Sequence, residues 1–102
     1  MLNEEQIVQL LHKYNLKATS KRVDAIKRIL YDENKIIDNN SVCVPFYDSD
    51  GRIYIYRYTS NAYQYWALRL LQKMIKAGVL TVKQMQNPVT KRMKKYLCLN
   101  LQ

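Results

Sequence analysis

The sequence predicts an α+β fold in the order two N-terminal helices, β-hairpin, third helix, basic segment and C-terminal strand. Three patterns predict it. Ile7, Leu10, Leu11 and Tyr14 recur at helical spacing, Asp48-Ser49-Asp50-Gly51 separates two strand-like runs, and Leu97, Leu99 and Leu101 alternate with Cys98 and Asn100. At 102 residues and 48% apolar the chain has material for one modest core. Residues 1–102 are therefore expected to form one domain, with a helical subregion at 4–33 and a hairpin-helix-strand subregion at 41–102.

The first helix, over 4–14, has Asn3 as its cap and Gln6 at the third position. Thr19 or Ser20 caps a second helix that runs to about Asp32 and puts Val23, Ile26, Ile29 and Leu30 on one face. Asp38-Asn39-Asn40-Ser41 breaks the pattern and reads as a linker. Residues 42–47 and 52–58 then form the hairpin strands, because Asp-Gly between such runs is a strong turn signal. Their parity puts Val42, Val44, Phe46, Ile53 and Ile55 on a core face and Tyr47, Tyr54, Tyr56 and Tyr58 on the other. Pro45 cannot donate to a ladder, so its strand is expected to be an edge or to bulge there.

Ser60 or Asn61 starts a third helix, 62–77, that ends at Gly78. Trp66, Ala67, Leu70, Leu71, Met74 and Ala77 form its apolar stripe. Arg69, Lys73 and Lys76 form a basic stripe on another face. Asn87-Pro88 is expected to open a turn or short helix, with Val89, Met93 and Tyr96 facing inward. The basic run Lys91, Arg92, Lys94 and Lys95 then leads into the last strand, which extends the hairpin to three strands.

Charge carries the functional signal. No Asp or Glu follows Asp50, so ten Lys and Arg residues in the second half stand unopposed, whereas residues 1–50 hold seven bases against eight acids. The net charge of +9 belongs to one half of the chain. Same-sign charge repels itself and is retained where an anionic partner such as nucleic-acid phosphate compensates it. Arg69, Lys73, Lys76, Lys91, Arg92, Lys94 and Lys95 are the expected phosphate contacts. Arg52 and Arg57 with Tyr54, Tyr56 and Tyr58 form a secondary surface. That tyrosine row reads either as a platform on which bases stack or as a face packed beneath a helix, with the packed reading the weightier.

Ile7, Leu11, Asn15-Leu16, Ser20-Lys21-Arg22, Asp24, Arg28 and Ile29 resemble the helix-extended loop-helix pattern of SAP modules, small DNA-binding units, over residues 4–31. Asn15 and Ser20 stand where that family usually has glycine, and Ala25 where it prefers leucine. The resemblance implies DNA contact by Lys21 and Arg22 at the start of the second helix. Thr19-x-x-Arg22 also resembles the first helix of Fur-type winged-helix repressors, without the metal-binding histidines that follow in that family.

Other classes find less support. His12 is the single histidine and the two cysteines are far apart, so no zinc site and no cofactor are expected, and Cys43 and Cys98 read as two buried free thiols. Asp48-x-Asp50-Gly51 is turn chemistry before it is a metal site, and no residue is assigned a catalytic role. Apolar runs are too short to span a bilayer, and the acidic Glu4-Glu5 start is unlike a secretory leader, so an intracellular location (cytoplasm, nucleoid or nucleus) is expected. The reading is a small nucleic-acid-binding protein, with DNA favoured over RNA. The runner-up is a protein-interaction module that docks on an acidic protein surface, and a third is a structural subunit of a ribonucleoprotein.

Overall fold

The computed structural model describes residues 2–45 and 61–102, excepting the side chains of 61–68. Helices α1 (Glu4–Lys13), α2 (Ser20–Leu30) and α3 (Asn61–Ala77) accompany strands β1 (Ile36–Asp38), β2 (Ser41–Pro45), β3 (Leu80–Gln86) and β4 (Met93–Asn100). The strands form one antiparallel sheet in the order β1-β2-β4-β3. The predicted α+β class is the observed one.

Local chemistry sets each helix boundary. The Asn3 side chain accepts from the Gln6 amide at 2.8 Å and the Gln6 side chain accepts from the Asn3 amide at 2.9 Å, a reciprocal cap that satisfies two free donors. Glu4 and Glu5 in the first turn and His12 and Lys13 in the last match the helix dipole. Asn15 takes φ 62°, so the amides of Asn15 and Leu16 turn back onto the carbonyls of His12 and Leu11 and end α1. Helix α2 starts at its Thr19 cap and stops at Leu30, two residues before the expected end. Gly78 ends α3 at φ 100°, a backbone conformation that side chains rarely adopt, with its amide on the carbonyls of Met74 and Ile75.

One face of the sheet carries Val42, Val44, Leu80, Leu97 and Leu99. They pack against Ile7, Leu10 and Leu11 of α1, Val23, Ala25, Ile26, Ile29 and Leu30 of α2, and Leu71 and Met74 of α3. Alternation sends Cys43, Tyr96 and Cys98 to the opposite face, where all three are buried with Ile36 and Met85 beside them. Cys43 and Cys98 are register partners on β2 and β4 and form a disulfide. This corrects the expectation of two free thiols: 55 residues apart in sequence, they become direct neighbours once β4 pairs with β2.

Other expectations change for equally local reasons. Asp38–Ser41 is the turn of the β1–β2 hairpin rather than a linker. Asn39 takes φ 53° there, and the Ser41 hydroxyl donates to the Asp38 carbonyl at 2.8 Å. The hairpin before α3 thus begins at Ile36, and β2 pairs with β1 and β4. The run 52–58, with Arg52, Arg57, Tyr54, Tyr56 and Tyr58, lies outside the described residues, as do Phe46 and Tyr47. Pro45 pairs with Tyr96, whereas β1 ends opposite Cys43, so among the described residues the proline has a strand on one side only.

β3 was not anticipated. Its residues follow the helix-ending glycine directly, and Asn87-Pro88 starts the loop of the β3–β4 hairpin rather than a short helix. Lys94 and Lys95 lie within β4, so the basic segment is half strand. Of the three side chains expected to face inward here, Tyr96 alone is buried. Val89 is 86% exposed in the loop and Met93 63% exposed at the first position of β4, where the ladder ends.

Candidate nucleic-acid interface

Two sets of basic residues that are far apart in sequence meet in one groove. Thr19, Lys21 and Arg22 from the start of α2 form one wall, and Arg69, Leu70, Gln72, Lys73 and Lys76 from α3 form the other, around a volume of about 670 Å³. Arg69, Lys73 and Lys76 follow one another at i, i+4 and i+7, so the helix aligns them as a single exposed stripe. Leu71 and Met74, the buried residues among them, fix that stripe by anchoring the helix to the core. No carboxylate is among the described residues that line the groove.

The α2 wall is placed by the helix start itself. The Thr19 hydroxyl accepts from the Arg22 amide at 3.3 Å, and the Arg22 Nη1 donates to the Lys17 carbonyl at 2.9 Å. Arg22 is half-buried, and its Nε is buried with no protein hydrogen-bond partner. Helix α1 places acids in its first turn, but α2 has none there and places Lys21 and Arg22 instead. Cations at the positive end of a helix oppose its dipole, at a cost of about 0.3–1 kcal/mol each. An anion in the groove would reverse that cost, since it would meet the dipole and both side chains together.

The neighbouring surface of the two N-terminal helices is charge-balanced. A cleft there is lined by Glu4, Asp24 and Lys27 as well as Lys21. Lys27 pairs with Glu4 at 3.2 Å, and Arg28 pairs with Asp24 at 2.9 Å. Lys83 approaches Asp38 at 4.0 Å across the sheet. These three pairs use Lys27, Arg28 and Lys83, none of which lines the groove.

Lys91, Arg92, Lys94 and Lys95 do not line this groove. They belong to the β3–β4 hairpin, the first two in its loop and the others on β4, where successive residues face opposite sides of the ribbon. The hairpin therefore shows positive charge on both faces. Its loop is held by Asn87, whose amide donates to the Arg92 carbonyl at 2.8 Å and whose carbonyl accepts from the Lys91 amide at 2.9 Å. The Asn87 Oδ1 accepts from the amides of Val89 and Thr90 at 2.9 and 3.0 Å, and its Nδ2 donates to the buried Tyr96 hydroxyl at 3.2 Å.

Charge pattern located both basic sets but not their convergence, which depends on how α2 and α3 pack. Thr19 as a groove residue, and the Asn87 brace, are not among the residues the sequence singles out for binding. The brace had a visible signal: the alternation Leu80-Thr81-Val82-Lys83, followed a few residues later by Asn87-Pro88, reads as a strand meeting a turn. Among the described residues no group of three or more His, Cys, Asp or Glu is placed to hold a metal ion, and no helix is long and apolar enough to cross a membrane. No family model, curated protein or solved structure matches the chain.

Proposed function

We propose that this protein binds nucleic acid, with DNA favoured over RNA, by holding backbone phosphates in the groove between the start of α2 and the basic face of α3. The observation that carries the reading is the convergence of Lys21, Arg22, Arg69, Lys73 and Lys76 on one groove, with no carboxylate among the described residues that line it. Phosphate contacts supply much of the affinity of such complexes and position the protein without reading sequence. In the groove Lys21, Lys73 and Lys76 would act as point charges toward phosphate oxygens, and the Arg22 and Arg69 guanidinium groups would add delocalised positive charge beside them. The SAP-like resemblance of 4–31 points to the same Lys21 and Arg22.

Replacing Arg69, Lys73 and Lys76 with Gln, or Lys21 and Arg22 with Gln, should weaken binding to one and the same ligand. Fluorescence anisotropy against labelled duplex DNA, single-stranded DNA and RNA measures it. The triple variant should lose more affinity, and the log–log salt slope should fall in magnitude by about 3 and about 2 respectively, one unit per phosphate contact. The triple variant should keep the wild-type circular dichroism, since exposed charges change stability by about 0.5 kcal/mol or less; the Lys21/Arg22 variant also loses the half-buried Arg22 bond to the Lys17 carbonyl, so its affinity is compared at a temperature where its circular dichroism matches the wild type. Unaltered affinity in both variants would remove the groove as the contact surface.

A further inference from the structure

The geometry points to the β3–β4 hairpin as a DNA-bending arm, in which Pro88 and Val89 wedge between base pairs of a duplex while the cations around them hold the flanking phosphates. The inference rests on the nucleic-acid reading and deepens it by naming duplex DNA as the partner.

Its starting point is an exposed valine that the fold holds still. Val89 is 86% exposed at the end of the ribbon, next to Pro88, which is also exposed. A lone exposed apolar side chain is ordinary. A rigid one at the tip of a basic projection is not. Every amide available in the loop is bonded: Asn87 to the Arg92 carbonyl, Val89 and Thr90 to the Asn87 Oδ1, Lys91 to the Asn87 carbonyl, and Arg92 to the Thr90 hydroxyl at 3.4 Å. Lys91 accepts φ 63° to close the turn, and the Gln86 side chain donates to its carbonyl at 3.1 Å. Through Asn87 the loop is tied to Tyr96, which is wholly buried in the sheet. The tip is thus pre-organised, and a rigid group loses little conformational entropy when it binds.

The chemistry around the tip selects the partner. Lys91, Arg92, Lys94 and Lys95 lie within seven residues of Pro88, on the loop and on both faces of the ribbon, and no acid occurs anywhere after Asp50. A ribbon lying in a duplex groove has a phosphate chain on each side of it, which suits cations on both faces. Proteins that bend DNA from the minor groove insert small apolar wedges at a base step, partly unstacking it to kink the duplex. Single-strand binders instead present aromatic rings to the bases. Residues 80–95 contain no aromatic side chain, so the arm is shaped for the first task.

The test uses the full chain and a duplex of about 25 base pairs carrying a fluorescent donor and acceptor at its ends, the length over which such bends are usually measured. The wild type should bind and raise energy transfer between the ends. Pro88→Ala/Val89→Ser, which touches only exposed side chains, should bind with affinity reduced by less than about tenfold but lose most of that rise at saturation. Lys91→Gln/Arg92→Gln should lower the salt slope by about 2 and keep the bend once saturated. Binding without bending by the wild type, or bending unchanged in Pro88→Ala/Val89→Ser, would overturn the arm while leaving the groove reading intact. Absence of binding to any nucleic acid at low salt would remove both. A third arm uses phosphatidylserine vesicles: capture that depends on Val89, with no bending of DNA, would overturn the inference in favour of a membrane surface.

Discussion

Breaking the Cys43–Cys98 bond should cost the fold about 4 kcal/mol, the loss expected when a cross-link closing a loop of this length, its ends 55 positions apart, is removed from the unfolded chain. A domain of this size is stable by about 5–15 kcal/mol in total, so the bond decides whether the protein has a margin. The native state should lose little contact, because both residues remain buried on paired strands and a thiol packs as a small apolar group. Urea unfolding of the oxidised chain and of a Cys43→Ala/Cys98→Ala variant measures the difference as a lower midpoint. Two thiols that react in the unfolded, unreduced chain would overturn the pairing. Disulfides persist in oxidising surroundings. In a reducing cytosol the same molecule would carry two thiols and the smaller margin.

Binding to duplex DNA should weaken by roughly 500- to 6,000-fold as salt rises from about 50 to 200 mM, because each phosphate neutralised releases a condensed counterion and five to seven cations give a log–log slope of roughly −4.5 to −6.3. Five of those cations line the groove, and Lys91 and Arg92 of the hairpin loop supply the rest. The same measurement distinguishes the protein-docking alternative. A folded acidic protein has no condensed counterion layer of that density, so its complex would show a much shallower slope. A slope shallower than about −2 on duplex DNA would set the groove aside as a phosphate site.

Periodicity and caps made the helices legible. Asn3 with Gln6, Thr19, and Gly78 are local signals whose meaning does not depend on the rest of the chain, and each sits at the helix boundary it indicates. Strand partners are a different matter. β2 finds β4 across more than fifty residues, and nothing in Ser41–Pro45 by itself prefers that partner to a nearer run. The disulfide was misread for the same reason, since proximity of Cys43 and Cys98 is a product of that pairing. Asp38–Ser41 was misjudged because Asn-Asn serves equally as linker and tight turn, and the difference lies in the three short residues Ile36–Asp38 before it. The groove was half legible: composition marks a stretch of bases with no acid near them in sequence, whereas the approach of two helices decides which of them share a site.

A loop exposed to water with Lys91 and Arg92 at its surface would ordinarily be where trypsin cuts first. Here the protease would meet a chain whose amides are all engaged and whose Asn87 is fastened to the wholly buried Tyr96. Cleavage requires several residues to leave their bonds and lie extended in the protease, so its rate follows the population of the opened state. Opening this loop means releasing the Asn87 bond to Tyr96 and with it the end of the β3–β4 ladder. The hairpin tip is thereby linked to the cooperative unit that holds the sheet together, and its survival under limited proteolysis should follow the stability of that sheet rather than the accessibility of its own basic side chains.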